Sequence, residues 1–273
     1  MLETPTAPST PYTKIPGPKK RRFGAPAAVL RDPTASLCQI ARDYGDIVHF
    51  SFGPFDGYLL SHPDLIRDLL VTNSRFFMKG EGLQRAKRML GEGLLTSEGE
   101  FHLKQRRLIQ PVFLKKYLTT YADSMGRHAL KTAQRWQEGQ TIDIAREMGR
   151  LTLAVVGETL FSADVEGEAQ ELGQALDTSL ELFAGLSSPF APLLELLPFG
   201  PSKTFKDAKG RLDATIFRLI AEHKKAGADN GDLLSLLVNS RYDDGTAMDE
   251  TQLRDEAMTI FLAGHETTAN ALA

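Results

Sequence analysis

Cysteine is almost absent from this sequence, because Cys38 is the only one among 273 residues. An intramolecular disulfide is therefore excluded, which fits a reducing compartment. Long apolar runs are absent as well: Gly, Pro or charged residues interrupt each such stretch, and residues 1–12 contain no apolar run of signal-peptide length. We therefore expect a soluble, cytoplasmic protein without a transmembrane anchor.

An excess of one charge sign is also missing, since the formal net charge is −3 and the pI is about 6.1. A balance of this kind gives no general attraction to nucleic acid or to anionic membranes, so we expect no nucleic-acid partner. The basic run at residues 19–22 is a local exception, interpreted as a solvated tail, with membrane or nucleic-acid contact as the alternative. With 42% hydrophobic and 25% charged residues, the composition is that of an ordinary globular protein.

Helical patterns dominate the chain after a flexible, Pro-rich N-terminal segment at residues 1–25. Two β-rich stretches near residues 47–52 and 58–60 are separated by a Gly-containing turn and predict a hairpin. Helices are predicted at about 33–44, 61–71, 98–114, 117–138, 145–162, 168–185, 203–226, 230–240 and 249–273. Four prolines interrupt the apolar stretch between residues 185 and 202. The predicted fold class is mainly α with a small β piece near the start, and residues 26–273 form one domain.

The last predicted helix begins with a favourable capping pattern. Asp249 can accept hydrogen bonds from the amides of the first turn, and Gln252 can reach back to it. The polar turn 263–268 then follows, in which Gly264 costs about 1 kcal/mol relative to Ala. Thr267 and its neighbour Thr268 can bond back to carbonyls one turn earlier. This pattern suggests a place where a partner approaches the backbone closely.

Three interpretations of this turn remain open from the residues alone. The first is a helix crossing of small residues, with the hydroxyl groups satisfied internally. The second is a zinc site, because His265-Glu266 begins a His-Glu-x-x-His pattern, but Ala269 stands where the second His is needed. The third is oxygen chemistry, in which the acid and the adjacent hydroxyl of Thr267 supply protons to dioxygen.

The run Ala263-Gly264-x-Glu266-Thr267-Thr268 resembles the central-helix motif of cytochromes P450. The resemblance implies that this helix crosses the distal face of a haem. Ala263 and Gly264 then adjoin the cofactor and leave room for dioxygen. Thr267 steadies a proton relay, and Glu266 connects that relay to solvent, so that these two residues are the expected catalytic residues.

A second motif agrees with the first. His102 and Arg106 are four residues apart and share one face of a predicted helix, for which Ser97 and Glu100 have the spacing of a capping box. From the residues alone, a solvated basic helix is the favoured interpretation. The run nevertheless resembles the P450 segment in which Trp or His, and Arg four residues later, bind a haem propionate. The order of the other features also matches, from about residue 15 to residue 273.

The resemblance implies a haem-thiolate monooxygenase. Its cofactor would be haem b, its co-substrate O₂, and its electrons would come from NAD(P)H through redox partners. The family carries its axial cysteine on a loop near the C-terminus. Cys38 lies in an early helix without such a loop, so we expect that this chain is an N-terminal portion, inactive alone, whose axial cysteine lies beyond residue 273. No residue of this chain is therefore predicted to be a metal ligand.

The expected substrate is a lipophilic small molecule. Aromatic and aliphatic residues stand where pockets of this family are often lined, and they are equally plausible as core residues: Phe77, Leu83, Phe183 and Leu186. The chain contains no flavin-binding or iron–sulfur motif, which indicates a separate electron-transfer protein.

A different class of function is a non-catalytic, truncated P450-like helical protein that serves in binding or interaction. The haem content separates the two hypotheses, because an enzyme of this family carries haem stoichiometrically and a binding module does not.

Overall fold

The computed structural model describes residues 15–19, 29, 31–52, 55–162, 175, 201–227 and 231–273. The chain forms two compact units, residues 1–78 and residues 79–273. The described residues are mainly helical, with one small antiparallel sheet, which confirms the predicted fold class. The predicted helix at 168–185 and the Pro-interrupted stretch fall almost wholly outside the described residues.

The first unit contains helix α1, Pro33–Tyr44, and the hairpin of β1, Ile47–Phe52, with β2, Phe55–Leu60. Asp32 caps α1 by accepting a hydrogen bond from the amide of Ala35 at 2.9 Å. The helix bounds confirm the sequence prediction, since Pro at the first helical position is already set for helical φ. The second strand is longer than predicted.

The rest of the first unit is less regular than the sequence suggested. Helix α2 covers only Pro63–Arg67, and a π-helical turn, Asp68–Thr72, continues it. A short 3₁₀ turn follows at Ser74–Phe76. The single predicted helix of 61–71 is thus two different helical segments.

The second unit is built from seven described helices and one 3₁₀ turn at Gln110–Phe113. The helices are α3, Glu81–Leu90; α4, Gly99–Ile109; α5, Lys115–Arg135; α6, Ile144–Phe161; α7, Pro201–Ala226; α8, Leu233–Asn239; and α9, Glu250–Leu272. Helix α3 was not predicted from the sequence. The other bounds differ from the predicted ones by a few residues.

Helix α9 lies at the centre of the second unit and packs most extensively against α6. Its apolar side chains Leu253, Met258 and Phe261 are almost completely buried. Burying a side chain of this size contributes about 1.5–3 kcal/mol. Among the described residues, none of the helices combines the length and apolar character needed to cross a membrane.

Candidate active site

Helix α9 begins at a side-chain cap, as predicted. Oδ1 of Asp249 accepts a hydrogen bond from the amide of Gln252 at 2.7 Å. The predicted return bond from the Gln252 side chain is wrong. That amide instead donates to Oε1 of Glu256 at 2.7 Å and to the carbonyl of Glu92 at 3.2 Å. Gln252 is buried, and a buried amide needs hydrogen-bond acceptors within the protein.

Three consecutive charged residues of α9, Arg254, Asp255 and Glu256, are buried. Nε of Arg254 donates to the carboxylate of Asp213 on α7 at 2.7 Å. The same guanidinium donates to Asp255 at 2.9 Å and to the carbonyl of Met89 at 2.7 Å. The buried cation is thus paired and hydrogen-bonded, as a charge in this environment must be.

The turn 91–97, between α3 and α4, is attached to α9 by its backbone amides. Glu92 N–H donates to Asp255 at 2.7 Å, and Leu94 N–H donates to Glu256 at 2.8 Å. Burial raises the pKa of Glu256 to about 7, although these hydrogen bonds favour the carboxylate. This arrangement places the start of α4 against the buried part of α9.

Two glycines permit this close approach. Gly91 has φ of +65°, and a Cβ atom there would overlap the Asp255 side chain. A Cβ atom on Gly93 would overlap the hydroxyl of Thr259 and lie 2.5 Å from the carbonyl oxygen of Asp255. Real Cβ atoms do not occupy such positions, so the turn requires glycine at both places.

Helix α4 begins at Gly99, and Glu98 stands at the cap position without a side-chain capping bond. The predicted capping box of Ser97 and Glu100 is therefore wrong. The hydroxyl of Ser97 lies 3.4 Å from Nδ1 of His102 instead. The Glu98 carboxylate accepts a hydrogen bond from the amide of Lys79 at 2.7 Å.

Lys79 lies beside His102, which the sequence did not predict. Its ammonium group donates to the carbonyl oxygens of Ser97 and Leu94 and lies 3.5 Å from Nδ1 of His102. Burial, followed by the charge of Lys79, lowers the pKa of His102. A hydrogen bond with the backbone of Leu94 acts in the opposite direction and raises this pKa. No sequence signal identifies Lys79, since only the fold brings it to this ring.

Arg106 lies one turn after His102 and is exposed. No ion pair of its guanidinium is found among the residues that the structure describes. The structure thus places the half-buried His102 and the exposed Arg106 on one helix at the expected spacing. The pair offers an imidazole N–H and a planar cation that could take a carboxylate.

The motif turn of α9 is exposed on one side and buried on the other. Ala263, Glu266 and Thr267 are exposed, whereas His265 is buried. A Cβ atom on Gly264 would lie 3.1 Å from Cγ2 of Val156 on α6. The small-residue helix crossing considered from the sequence is therefore present at Gly264, whose contact with a cofactor stays a prediction.

The hydroxyl of Thr267 donates to the carbonyl oxygen of Ala263 at 2.6 Å. This is the return bond predicted from the sequence, and α9 nevertheless continues without a break through Leu272. Since the hydroxyl hydrogen is used, the exposed oxygen retains acceptor capacity towards solvent.

The remaining predicted residues are not brought together by the described structure. Phe77 is exposed in the first unit, and Leu83 is half-buried on α3 in the second. Phe183 and Leu186 lie outside the described residues. Cys38 is exposed on α1.

Comparison with known proteins identifies the class to which this fold and site belong. Residues 22–273 match the family described as Cytochrome P450, and the chain belongs to that family. It is 33% identical to Cyclooctat-9-en-7-ol 5-monooxygenase of Streptomyces melanosporofaciens over 254 residues, or 92% of this chain and 55% of the relative. It is 36% identical to Pentalenene oxygenase of Streptomyces avermitilis over 247 residues, or 89% of this chain and 54% of the relative.

A third relative, Cyclooctatin synthase of Streptomyces melanosporofaciens, is also 36% identical over 247 residues, with 89% of this chain and 54% of the relative covered. The chain thus spans about half the length of the curated relatives it matches.

Proposed function

We propose that the whole protein is a haem-thiolate monooxygenase that transfers one oxygen atom of O₂ to a lipophilic substrate. The observation that carries this proposal is that Ala263, Glu266 and Thr267 are exposed on a helix whose preceding residues 252–259 are buried in the core. When bound, haem b supplies the reductive activation of O₂. Electrons come from NAD(P)H through a separate electron-transfer protein.

His102 and Arg106 would hold the haem propionates. The donor set fits a carboxylate, because an imidazole and a guanidinium lie one turn apart on α4, with the Lys79 ammonium beside the ring. The Arg106 guanidinium adds a positive charge and a planar fork of N–H groups. The attachment of the turn 91–97 to α9 supports the placement of both parts at one cofactor.

Ala263 and Thr267 would adjoin the distal face of the haem, and the methyl side chain of Ala263 leaves space there. The Thr267 hydroxyl already donates to the Ala263 carbonyl, so its oxygen can accept a hydrogen bond and hold a water or a protonated group. Glu266 is exposed one position before it and exchanges protons with solvent. A positioned proton relay of this kind contributes about 10²–10⁴-fold in rate.

The axial thiolate is not assigned to any residue of this chain. Cys38 is its only cysteine and is exposed on α1 of the first unit. Nothing in its surroundings suggests a role at the haem.

The substrate proposal follows from the relatives and the predicted lining residues. Two relatives are named for acting on cyclooctat-9-en-7-ol and pentalenene, and we propose that this protein also takes a lipophilic compound. Phe77, Leu83, Phe183 and Leu186 are the proposed lining residues.

The test is the substitution Thr267→Ala in the haem-loaded whole protein. Substrate binding should remain close to that of the wild type, since a methyl group replaces a hydroxyl. Product formation should fall while reduced cofactor continues to be consumed, with the electrons recovered as hydrogen peroxide. Thr268→Ala is the matched control, because Thr268 lies about 100° further around the helix and should have a milder effect. Equal coupling of cofactor consumption to product in Thr267→Ala and wild type would contradict the proposal.

A further inference from the structure

His265 and Thr152 form a buried hydrogen bond between α9 and α6. Their relative exposures are 7% and 4%, and Nδ1 of His265 lies 2.9 Å from Oγ1 of Thr152. The interaction joins residues that are 113 positions apart in the sequence. His265 occupies the variable position of the motif 263–268, for which the sequence offered only the rejected zinc interpretation.

The direction of this hydrogen bond follows from its partners. The Thr152 hydroxyl lies 3.0 Å from the carbonyl oxygen of Met148 and 3.2 Å from that of Gly149. A hydroxyl has one hydrogen, which it donates to these carbonyls, so its oxygen accepts at His265. Nδ1 of His265 therefore carries the proton and is the donor.

Packing fixes the same imidazole from other sides. The ring of His265 stacks on Phe261 with 6.5 Å between the centroids and 29° between the planes. A Cβ atom on Gly149 would lie 3.9 Å from Cε1 of His265, and one on Gly264 would lie 3.1 Å from Val156. The ring is therefore held by a hydrogen bond, a stacked ring and a close helix crossing.

The periodicity of the helix connects this contact with the exposed face. Successive residues of an α-helix are about 100° apart, so Ala263 and Thr267, two positions on either side of His265, both lie about 160° from it. A contact that directs His265 towards α6 thus directs Ala263 and Thr267 to the opposite side. A rotation of α9 would move all three side chains together.

We propose that His265 and Thr152 are positioning residues that set the rotation of α9 and thereby aim Thr267 at the haem. This inference rests on the proposed function of Thr267. It predicts that loss of the buried hydrogen bond misdirects Thr267, although neither His265 nor Thr152 touches the cofactor.

The experiment compares two valine substitutions on α6 in the haem-loaded whole protein. Thr152→Val removes the hydroxyl that binds His265. Thr159→Val is the matched control, since Thr159 is also buried and its hydroxyl donates to the Val155 carbonyl at 2.8 Å. Thr152→Ser, which keeps the hydroxyl, should restore the wild-type behaviour.

Two measurements report whether the Thr267 side chain faces the haem. The first is the infrared stretch of carbon monoxide bound to the reduced haem, which responds to polar groups on the distal face. We expect this band to shift or broaden in Thr152→Val and to remain at the wild-type position in Thr159→Val and Thr152→Ser. The second is the fraction of consumed cofactor recovered as product, which should fall in Thr152→Val towards the value of Thr267→Ala.

An unchanged carbon monoxide band and unchanged coupling in Thr152→Val would overturn the inference, provided that Thr267→Ala itself is uncoupled. If Thr267→Ala keeps full coupling, the proposed function fails first. Should Thr152→Val not fold, His265→Phe removes the Nδ1 donor from the other partner and keeps a ring against Phe261. The same band shift is then expected, and its absence would overturn the inference equally.

Discussion

Nδ1 of His102 lies 3.5 Å from the ammonium group of Lys79 and 3.4 Å from the hydroxyl oxygen of Ser97. Both neighbours can donate hydrogen bonds to this nitrogen, and the ammonium group cannot accept one. The charge of Arg106 also acts to lower the pKa of His102.

Lys79→Met should disturb this arrangement without leaving a cavity of any size. Removal of the lysine charge raises the pKa of His102, because that charge is one of the causes that lower it. Nδ1 also loses a neighbouring donor, so the balance between the two tautomers should shift towards a proton on Nδ1. Nitrogen NMR of ¹⁵N-histidine-labelled protein measures the pKa and the tautomer of His102. The His102→Gln variant identifies the signal of this residue by its loss. Lys104→Met, an exposed substitution on α4, is the control and should leave both unchanged. A His102 signal that is the same in Lys79→Met and wild type would show that Lys79 does not select the tautomer.

Arg106→Ala should weaken haem retention and leave the fold largely intact, since Arg106 is exposed. A hydrogen bond to a charged group contributes roughly 1.5–3 kcal/mol, equivalent to about a tenfold to hundredfold loss of affinity. Transfer of haem to apomyoglobin measures the change. Arg107→Ala removes the next cation on α4 and should transfer haem at the wild-type rate. Identical rates for Arg106→Ala and wild type would make Arg106 a surface cation only.

Glu256 should make stability depend on pH. Burial raises its pKa in the folded protein to about 7, from an ordinary value of 4.5. The folded state therefore holds a proton that the unfolded state has released, and stability falls as pH rises between these two values. At about 1.4 kcal/mol per pKa unit, the loss is on the order of 3 kcal/mol.

Glu256→Gln keeps an acceptor for the Leu94 amide and removes this titration. The stability of the variant, from urea unfolding between pH 4.5 and 8, should fall less with pH than that of the wild type. Glu138→Gln, an exposed control, should keep the wild-type slope. The pKa of His223 is also raised, by its hydrogen bond to Asp232, and this contribution is the same in both proteins. If the free energy of unfolding fell equally with pH in Glu256→Gln and wild type, the pKa of Glu256 would not be raised.

Gly93→Ala should destabilise the second unit, because the added methyl group overlaps the Thr259 hydroxyl and the Asp255 carbonyl. Overpacking of this kind costs about 1–3 kcal/mol. Gly126→Ala provides the opposite case, since Gly126 lies within α5 and a Cβ atom there meets nothing within 4 Å. That substitution should stabilise the helix by up to about 1 kcal/mol. Thermal unfolding compares the two, and equal melting temperatures would show that the turn 91–97 is not closely packed on α9.

Local signals predicted local structure well. Asp32 with Pro33 and Asp249 with the amide of Gln252 are caps formed within one turn, so the residues that determine them are adjacent in sequence. The spacing of His102 and Arg106 placed both on one helix for the same reason. Helix α3 was missed because its mean character is polar and only three of its residues are buried, Ala86, Met89 and Leu90.

The contacts that complete the site depend on tertiary structure. Lys79 reaches His102 across 23 positions, and His265 reaches Thr152 across 113. The Ser97 capping box failed because the helix begins two residues later, at Gly99, with Glu98 at the cap position. Burial of Glu256 likewise follows from the packing of α9, which a pattern of single residues does not reveal.

The hydrogen bond from Glu92 to Asp255 spans 163 positions, and this separation has a consequence for the order of folding. Closing a loop of that length costs entropy before any contact compensates for it, and pairings between distant segments form late. During synthesis, the turn before α4 leaves the ribosome long before its carboxylate partners on α9 exist. His102 therefore gains its final orientation only when a much later segment has docked, and we expect haem capture in the cell to wait for α9.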